Sequence, residues 1–386
     1  MKKILLLGST GSIGSQVLSV IDNLNYLGYD FEISGLAFSS NSSVAIKQIR
    51  KYKPGFVSVV NDKAYNDICF ECGNESINIF HGTDAVIKLC REAEYDICIN
   101  AIVGFAGLIP SYEAIKKCSR LCLANKETIV SDGDNLLSYA EANMVEVIPI
   151  DSEHSAVFQC LAGSDKNNLK KIILTASGGP FVDFTEEQLE HVTPAMALHN
   201  PNWSMGKRIT VDSASMINKG FEVIEASRLF NVDMNNIDVL VHRQSIVHSM
   251  VEFEDGCVMA QMGVPDMQLP IQYSLVYPER PSGLTSSLSL SSVGKLSFEE
   301  VRQDLFKGFV VCLDALKQGG NATAVLNAAD EIAVSLFLDN KIKFTAIPEI
   351  LDFALQTIPY IAHPTTSDII YSDRSARDLI YKKFNW

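Results

Sequence analysis

The sequence predicts an α/β protein that begins with a largely parallel, doubly wound sheet and ends in a bundle of helices. From residue 1 to about 149, short apolar runs alternate with amphipathic segments. Buried runs with helices between them are typical of parallel sheets that are covered on both faces. Beyond residue 303 the apolar residues recur at helical spacing instead.

The chain is long enough for several domains, because 386 residues exceed one typical core. We predict a first α/β domain (1–149), a second α/β domain with most of the unusual polar clusters (150–276), a linker rich in Ser, Gly and Pro (277–302), and a helical bundle (303–386).

Each predicted strand of the first domain is a short apolar run. The strands are predicted at residues 4–7, 31–37, 56–60, 96–101, 121–124 and 145–150. Helices are predicted over residues 15–24, 42–51 and 84–93. In the C-terminal part, apolar stripes that begin at Phe309, Ala329 and Ile347 predict three further helices. Gly319 and Gly320 end the first of them.

Charge and cysteine content exclude several classes of partner. The formal net charge is −14, from 46 acidic and 32 basic residues, which argues against binding to nucleic acid or to anionic membranes. The nine cysteines are an odd number and stand in apolar contexts, as expected of reduced core residues. No apolar run approaches the ~18 residues of a membrane span. We therefore predict a cytoplasmic protein.

A glycine-rich loop follows the first predicted strand. Residues 8–14 read Gly-Ser-Thr-Gly-Ser-Ile-Gly and lead into a helix. Glycines allow a tight turn, and the helix N-terminus offers N–H groups to a pyrophosphate, so a dinucleotide site is favoured. Residues 39–43, after the second strand, contain no carboxylate to repel a 2′-phosphate. The cofactor is therefore predicted to be NADP rather than NAD, although no Arg or Lys stands there either.

Two carboxylates follow the strand predicted at residues 145–150. In an extended segment Asp151 and Glu153 would point to the same side, with Ser152 between them. Such a pair repels unless a proton or a cation lies between the two groups, and a hard divalent cation suits oxygen ligands. Considered alone, the pair is more typical of a solvated acidic turn.

Another polar cluster follows the strand at residues 121–124, at the sheet edge where ligands of open α/β folds bind. There Asn125 could bond a nicotinamide ribose, and Lys126 could face an anionic or carbonyl substrate. The alternative is an ordinary helix start with its charges in solvent. Further along, residues 176–181 form a flexible loop whose hydroxyl, Ser177, suits an oxyanion.

The next cluster combines phosphate donors with a third carboxylate. Ser213 is predicted to be the N-cap or to lie in the first turn of a helix. Ser213, Asn218 and Lys219 supply donors for a phosphate, and Glu222 is the i+4 neighbour of Asn218. The alternative is a Lys–Glu pair on the surface. Upstream, Trp203 in a polar stretch is either a local core anchor or the apolar face of a closing lid.

Taken in order, these motifs resemble the 1-deoxy-D-xylulose-5-phosphate reductoisomerase family along essentially the whole chain. The matching stretches are residues 8–14, 123–127, 149–156, 177–181, 201–206, 211–226, 244–250, 265–267 and 326–331. The resemblance implies a Rossmann-like NADPH-binding domain, an α/β catalytic domain and a C-terminal helical bundle. It also implies a homodimer, like the family's enzymes.

The resemblance implies a role for each matching residue. The metal ligands, for Mg²⁺, Mn²⁺ or Co²⁺, would be Asp151, Glu153 and Glu222, which with Lys126 are the catalytic residues. Substrate contacts would come from Lys126, Ser152, Glu153, Ser177, Asn200, Trp203, Ser213, Asn218 and Lys219. The NADPH positions are Thr10, Gly11, Ser12, Ile13, Ser39, Ser40, Asn41, Asn125, Glu127 and Gly206. Trp203 and Met205 would belong to a lid.

The implied reaction converts 1-deoxy-D-xylulose 5-phosphate, a phosphorylated sugar, into 2-C-methyl-D-erythritol 4-phosphate for isoprenoid precursors. The metal polarises the substrate oxygens, the carbon skeleton rearranges, and NADPH reduces the resulting aldehyde. Two positions depart from the family pattern: Asn200 replaces the usual lid histidine, with His199 before it, and Ser39–Ser40 replace a glycine and a basic residue. Alternative functions are an NAD(P)-dependent dehydrogenase of another small substrate, or a non-catalytic NADP-binding regulator.

Overall fold

The computed structural model describes residues 1–73, 76–165, 168–199 and 205–384, which form two compact units. The first unit comprises residues 1–128, 136–155 and 266–286. The second comprises residues 129–135, 156–265 and 287–386. The division at 149, 276 and 302 predicted from the motifs stays a prediction.

The described part of the first unit contains a seven-stranded parallel sheet. Its strands are β1 (Lys2–Leu7), β2 (Phe31–Phe38), β3 (Phe56–Val59), β4 (Asn78–His81), β5 (Ile97–Asn100), β6 (Arg120–Leu123) and β7 (Glu146–Pro149). The order β4-β3-β2-β1-β5-β6-β7 places the reversal of strand order between β1 and β5. Strand β4 is not among the predicted strands, because it is short, only partly buried and has no continuous apolar run.

Helices alternate with the strands of this sheet along the chain. They are α1 (Ser12–Tyr26), α2 (Ser42–Tyr52), α3 (Asp62–Cys72), α4 (Ala85–Glu92), α5 (Leu108–Ile115), α6 (Lys126–Ala142), α7 (Ser152–Leu161) and α12 (Gln268–Val276). In α1 the side chains of Val17, Ile21 and Leu24 recur at helical spacing and are buried. Helices α6 and α7 begin in residues of the first unit and continue into residues of the second.

The second unit contains a five-stranded mixed sheet among its described residues. Its strands are β8 (Leu169–Ala176), β9 (Ile237–Val241), β10 (Val247–Phe253), β11 (Val258–Met262) and β12 (Glu299–Glu300). The order is β11-β10-β8-β9-β12, and the β8–β9 pair is parallel while the others are antiparallel. The accompanying helices are α8 (Glu186–Leu189), α9 (Pro194–Ala197), α10 (Lys207–Ala214), α11 (Ile217–Phe230) and α13 (Leu290–Val293).

The C-terminal end of the second unit is helical, as predicted. It consists of α14 (Lys307–Gln318), α15 (Ala322–Leu338), α16 (Ala346–Thr357) and α17 (Thr366–Phe384). Helix α14 packs directly on α11, where Cys312 lies against Gly220 and Gly308 lies against Ile217. None of the helices in the described ranges has both the length and the apolar character needed to span a membrane.

Candidate active site

The glycine loop at the end of β1 has the shape that a pyrophosphate site requires. Gly8 has φ +85°, and a Cβ on it would lie 2.4 Å from the carbonyl oxygen of Ala101. A Cβ on Gly14 would lie 2.3 Å from the carbonyl oxygen of Gly8. Only glycine fits at both positions, so the backbone is free to approach a ligand closely. The amide of Gln48 also supports the loop by donating to the carbonyl of Ser9 at 2.8 Å.

The predicted NADPH residues flank this loop. Thr10, Gly11, Ser12 and Ile13 lie in the loop and the first turn of α1 and are partly or fully exposed. Ser39, Ser40 and Asn41 are exposed after β2. Asn41 is the N-cap of α2, since its side chain accepts from the N–H of Val44 at 3.3 Å.

Asn125 is the N-cap of α6, and the protein itself satisfies much of its amide. Its Oδ1 accepts from the N–H of Thr128 at 3.1 Å, and its Nδ2 donates to the carbonyls of Ile102 and Gly104 at 2.6 and 2.9 Å. Its Nδ2 also donates to the partly buried Glu127. The structure thus gives Asn125 an anchoring role, and its bond to a ribose stays a prediction.

Lys126 begins α6 and is buried, with 8% of its side chain exposed. Its Nζ lies 2.5 Å from Oδ2 of Asp151. A lysine held this way is not the solvent-facing charge of an ordinary helix start, so that alternative is wrong for Lys126. It remains a buried cation beside a carboxylate.

Asp151 and Glu153 do not lie in an extended segment, which corrects the sequence-based interpretation. Ser152 begins α7, and the N–H of Ser155 donates to the carbonyl of Asp151 at 2.8 Å in a helical bond. Both carboxylates therefore stand at a helix N-terminus, where the helix dipole favours negative charge. Ser152 Oγ donates to Glu153 Oε2 at 2.5 Å and orients that carboxylate.

The electrostatics keep Asp151 ionised. Burial alone would raise the pKa of its carboxyl, but the charges of Lys126 and His154 and the hydrogen bond from Lys126 outweigh burial. The pKa of Asp151 therefore lies well below its ordinary value. A carboxylate that is already deprotonated at neutral pH is in the state that metal binding requires.

In the second unit, Ser213 lies in the last turn of α10 and not at the start of the next helix, which corrects the prediction. The break comes three residues later, where Met216 adopts a left-handed φ of +62° and α11 begins at Ile217. A left-handed non-glycine residue carries no local sequence signal, so the hydrophobic pattern could not reveal this break.

The predicted i, i+4 relation on α11 is confirmed. Asn218 Nδ2 donates to Glu222 Oε1 at 2.5 Å, and Lys219 Nζ donates to Glu222 Oε2. Lys219 is 4% and Glu222 1% exposed, so the alternative of a surface Lys–Glu pair is wrong. Buried charges persist only when they are paired or bound, which makes this cluster a candidate site.

The Ser177 loop lies against the end of α10. Gly178 and Gly179 follow β8 with positive φ, and Ser177 Oγ accepts from the N–H of Gly179 at 3.3 Å. A Cβ on Gly179 would come within 2.8 Å of the carbonyl oxygen of Ser213. The fold therefore brings together the two regions that carry the predicted phosphate hydroxyls, Ser177 and Ser213.

The lid residues are only partly described. Asn200 and Trp203 lie outside the described residues. Met205 is half-buried, and Gly206 is the exposed residue that precedes α10. The lid predicted from the resemblance therefore stays a prediction.

Glu225, for which the sequence predicted no role, is 1% exposed on α11. Its spacing of three residues from Glu222 places both carboxylates on one helix face. That spacing is the signal in the sequence that Glu225 shares a helix face with Glu222.

The burial of His248 on β10 leads us to predict that the stability of the protein depends on pH. Burial, above all, lowers the pKa of His248 from 6.5 to about 4. Between these values the unfolded chain binds a proton that the native protein does not, so acidification favours unfolding. Between about pH 7 and about pH 4.5, we expect the free energy of unfolding to fall by about 2–3 kcal/mol less in His248→Gln than in the wild type. Urea unfolding at both pH values measures this difference, and parallel losses in the two proteins would contradict it.

Comparison with known proteins identifies the family. Family models described as 1-deoxy-D-xylulose 5-phosphate reductoisomerase and its C-terminal domains match residues 4–133, 147–230 and 262–379. The reductoisomerase of Chloroherpeton thalassium is 45% identical over 99% of this chain and 98% of its own length. That of Clostridium perfringens is 42% identical over the full length of both chains. The chain belongs to the 1-deoxy-D-xylulose 5-phosphate reductoisomerase family.

Solved structures of the family agree with this assignment. The reductoisomerase from Zymomonas mobilis in complex with NADPH is 34% identical, covers 99% of each chain and superposes with a TM-score of 0.90. A reductoisomerase in complex with NADPH, fosmidomycin and magnesium is 32% identical, covers 100% of this chain and 98% of its own, and gives 0.93.

These findings confirm the fold class and the reductoisomerase function predicted from the sequence. The activity of this family is the NADPH- and metal-dependent conversion of 1-deoxy-D-xylulose 5-phosphate to 2-C-methyl-D-erythritol 4-phosphate. The predicted cofactors agree with the NADPH and magnesium in the solved relatives. The two alternative functions are set aside.

Proposed function

We propose that Asp151, Glu153 and Glu222 bind the divalent cation of the reductoisomerase reaction in this chain. The observation that carries the proposal is the burial of Glu222 on α11 with Asn218 and Lys219 beside it. The three donors are carboxylates, which fit the hard cations Mg²⁺, Mn²⁺ and Co²⁺ and would be unusual for a structural zinc site. Hydrogen bonds from Ser152 and Asn218 already orient two of them.

The glycine loop is proposed to bind NADPH, as its solved relatives do. Gly8 and Gly14 leave the backbone accessible, and the N-terminus of α1 directly after the loop would offer its N–H groups to the pyrophosphate. The further contacts are proposed at Thr10, Gly11, Ser12, Ile13, Ser39, Ser40, Asn41, Asn125, Glu127 and Gly206. Hydroxyl and amide groups after β2 would bind the 2′-phosphate without a cation.

The substrate phosphate is proposed to bind Ser177, Ser213, Asn218 and Lys219. The close approach of Gly179 to Ser213 and the position of Asn218 and Lys219 in the first turn of α11 support this set. Ser152, Glu153 and Lys126 would contact the carbon chain, and Asn200 and Trp203 would cover it. Holding the phosphate orients the reacting carbons, which is a large part of catalysis.

When bound, the cation polarises the ketone and hydroxyl oxygens of the substrate, and NADPH supplies hydride to the rearranged aldehyde. Lys126 would donate a hydrogen bond to a substrate oxygen and stabilise negative charge that develops there. Burial of Lys126 and Lys219 strengthens their interaction with bound anions, because water screens them little.

The test is NADPH oxidation with 1-deoxy-D-xylulose 5-phosphate, measured with Mn²⁺ and after full chelation. Turnover should need both the sugar phosphate and the metal, and it should return when Mn²⁺ is added back. A dehydrogenase of another substrate would oxidise NADPH in spite of chelation. A regulator would bind NADPH without turnover. NADPH oxidation after chelation, or binding without turnover, would contradict the proposed function.

We also propose that the enzyme is a homodimer. Strand β11 is an edge strand that pairs only with β10 among the described strands. Its residues Val258 and Met259 are 50% and 43% exposed. An apolar sheet edge left open is prone to association, and a second copy would cover it. Sedimentation at micromolar concentration should give twice the chain mass, and a single-chain mass would refute the dimer. A cytoplasmic location is proposed on the ground that none of the nine cysteines, all of which lie in the described ranges, forms a disulfide.

A further inference from the structure

Helix α6 is interrupted one and a half turns after Lys126. Asp132 has φ −141° and ψ 28°, which lie outside the helical region. Helices kink where a side chain enters their hydrogen-bond ladder. Here the entering side chain is Arg228 of α11, whose Nη1 donates to the carbonyls of Ile129 and Val130 at 2.5 and 2.6 Å.

The same guanidinium reaches a third helix. Its Nη2 donates to Thr323 Oγ1 in the first turn of α15 at 2.9 Å. Its stem runs over Gly133, where a Cβ would come within 2.8 Å of Arg228 Cδ. One side chain therefore ties the kink of α6, the last turn of α11 and the start of α15 to one another.

Because the guanidinium of Arg228 is buried, its charge must be compensated by nearby hydrogen-bond acceptors and carboxylates. The Arg228 side chain is 8% exposed, and Asp134, whose carboxylate lies 3.6 Å from it, is 80% exposed. Solvent screens that carboxylate, so the three neutral oxygens, together with the charge of the buried Asp132, supply much of the compensation for the buried guanidinium. An arginine has the planar fork that can satisfy two carbonyls and a hydroxyl in fixed directions. The arrangement is thus specific for Arg228 and defines the geometry of the helices that it joins.

We propose that Arg228 is a positioning residue of the reductoisomerase reaction. It holds the carbonyls of Ile129 and Val130, in the segment of α6 that Lys126 begins, against α11, the helix that carries Glu222. This inference rests on the roles proposed above for Lys126 and Glu222. Arg228 touches neither substrate nor cofactor and acts through the two helices.

The test compares Arg228→Met and Arg228→Lys with the wild type. For Arg228→Met we expect kcat to fall by at least about tenfold, because misplacing a catalytic group by ~1 Å can cost about 10²-fold. The dissociation constant of NADPH should change less than kcat, because most of the proposed contacts, in the glycine loop and after β2, belong to neither helix. Arg228→Lys keeps a cation that can donate to the carbonyls but lacks the fork, so its kcat should lie between the two.

Arg377→Met is the matched control. Arg377 is also a largely buried arginine of the second unit, but it pairs with Glu331 and Asp373 within the C-terminal helices. Its loss should lower the melting temperature and leave the kcat of the folded enzyme unchanged. Equal losses of kcat in Arg377→Met and Arg228→Met would show a purely structural role.

A wild-type kcat in Arg228→Met would overturn the inference, and so would a wild-type kcat in Arg228→Lys if the methionine variant does not fold. A failure of the roles proposed for Lys126 and Glu222 can be distinguished from a failure of this inference. If Glu222→Gln keeps full activity, the metal-ligand assignment is wrong whatever the Arg228 variants do. If Glu222→Gln is inactive while both Arg228 variants turn over normally, only the positioning role is wrong.

Discussion

Glu222→Gln is expected to abolish most turnover, with kcat at least about a hundredfold below that of the wild type. The change keeps the shape of the side chain but removes the negative charge that a cation needs. Asn218 and Lys219 donate to different carboxylate oxygens, and glutamine offers only one carbonyl oxygen, so one of the two bonds is lost and the buried Lys219 loses the opposite charge beside it. The loss should therefore appear in metal binding and kcat, and the metal-free variant should also be less stable than the wild type.

Three measurements separate these effects. Mn²⁺ titration should show weaker binding by the variant, NADPH binding should be unchanged, and the melting temperature should be lower because the buried Lys219 loses its ion-pair partner. Glu300→Gln, on an exposed strand, is the matched control and should behave as wild type in all three. Normal kcat in Glu222→Gln would remove Glu222 from the metal site.

Lys126→Met is expected to lose both stability and activity. Removing one partner of a buried ion pair typically costs about 3–5 kcal/mol, because the other charge is left in a poor solvent. Without Lys126, two of the interactions that lower the pKa of Asp151 are lost, while burial, which raises it, remains. The variant should therefore be least stable relative to the wild type at high pH, where Asp151 must still ionise.

Added Mn²⁺ gives this prediction a sharper form. A cation bound at Asp151 would replace the lost lysine charge, so Mn²⁺ should raise the melting temperature of Lys126→Met more than that of the wild type. It should not restore kcat, because the hydrogen bond from Lys126 to the substrate is gone. The control is Lys170→Met, whose exposed pair with Glu252 should matter little. Full recovery of kcat with Mn²⁺ would limit Lys126 to a structural role.

The parts of the fold and site that the sequence predicts are those encoded locally. Glycine spacing in residues 8–14 and the spacing of Asn218 and Glu222 both depend on neighbours within one turn or loop, and both predictions hold. The errors arise where tertiary structure overrides a local pattern. Asp151 and Glu153 follow an apolar strand and look extended, but α7 begins between them.

The contacts of Arg228 show why the rest could not be predicted. Its acceptors Ile129, Val130 and Thr323 lie 99, 98 and 95 residues away in the chain. No periodicity or motif connects such distant positions, and an arginine near the end of an amphipathic helix is ordinarily assigned to the surface. The kink at Asp132 is hidden for the same reason, because its cause lies on another helix.

The contact between α14 and α11 limits how far this protein could be shortened. Gly220 and Gly308 let the two helices approach until Cys312 and Ile217 fill the space between them. If the chain stopped in the segment before α14, one whole side of α11, the helix that carries Glu222, would be exposed to water. The smallest working reductoisomerase of this type therefore includes the C-terminal helices, although the residues proposed for metal, phosphate and cofactor all precede them. The C-terminal helices complete a core whose other half, on α11, carries residues proposed to bind the metal and the phosphate.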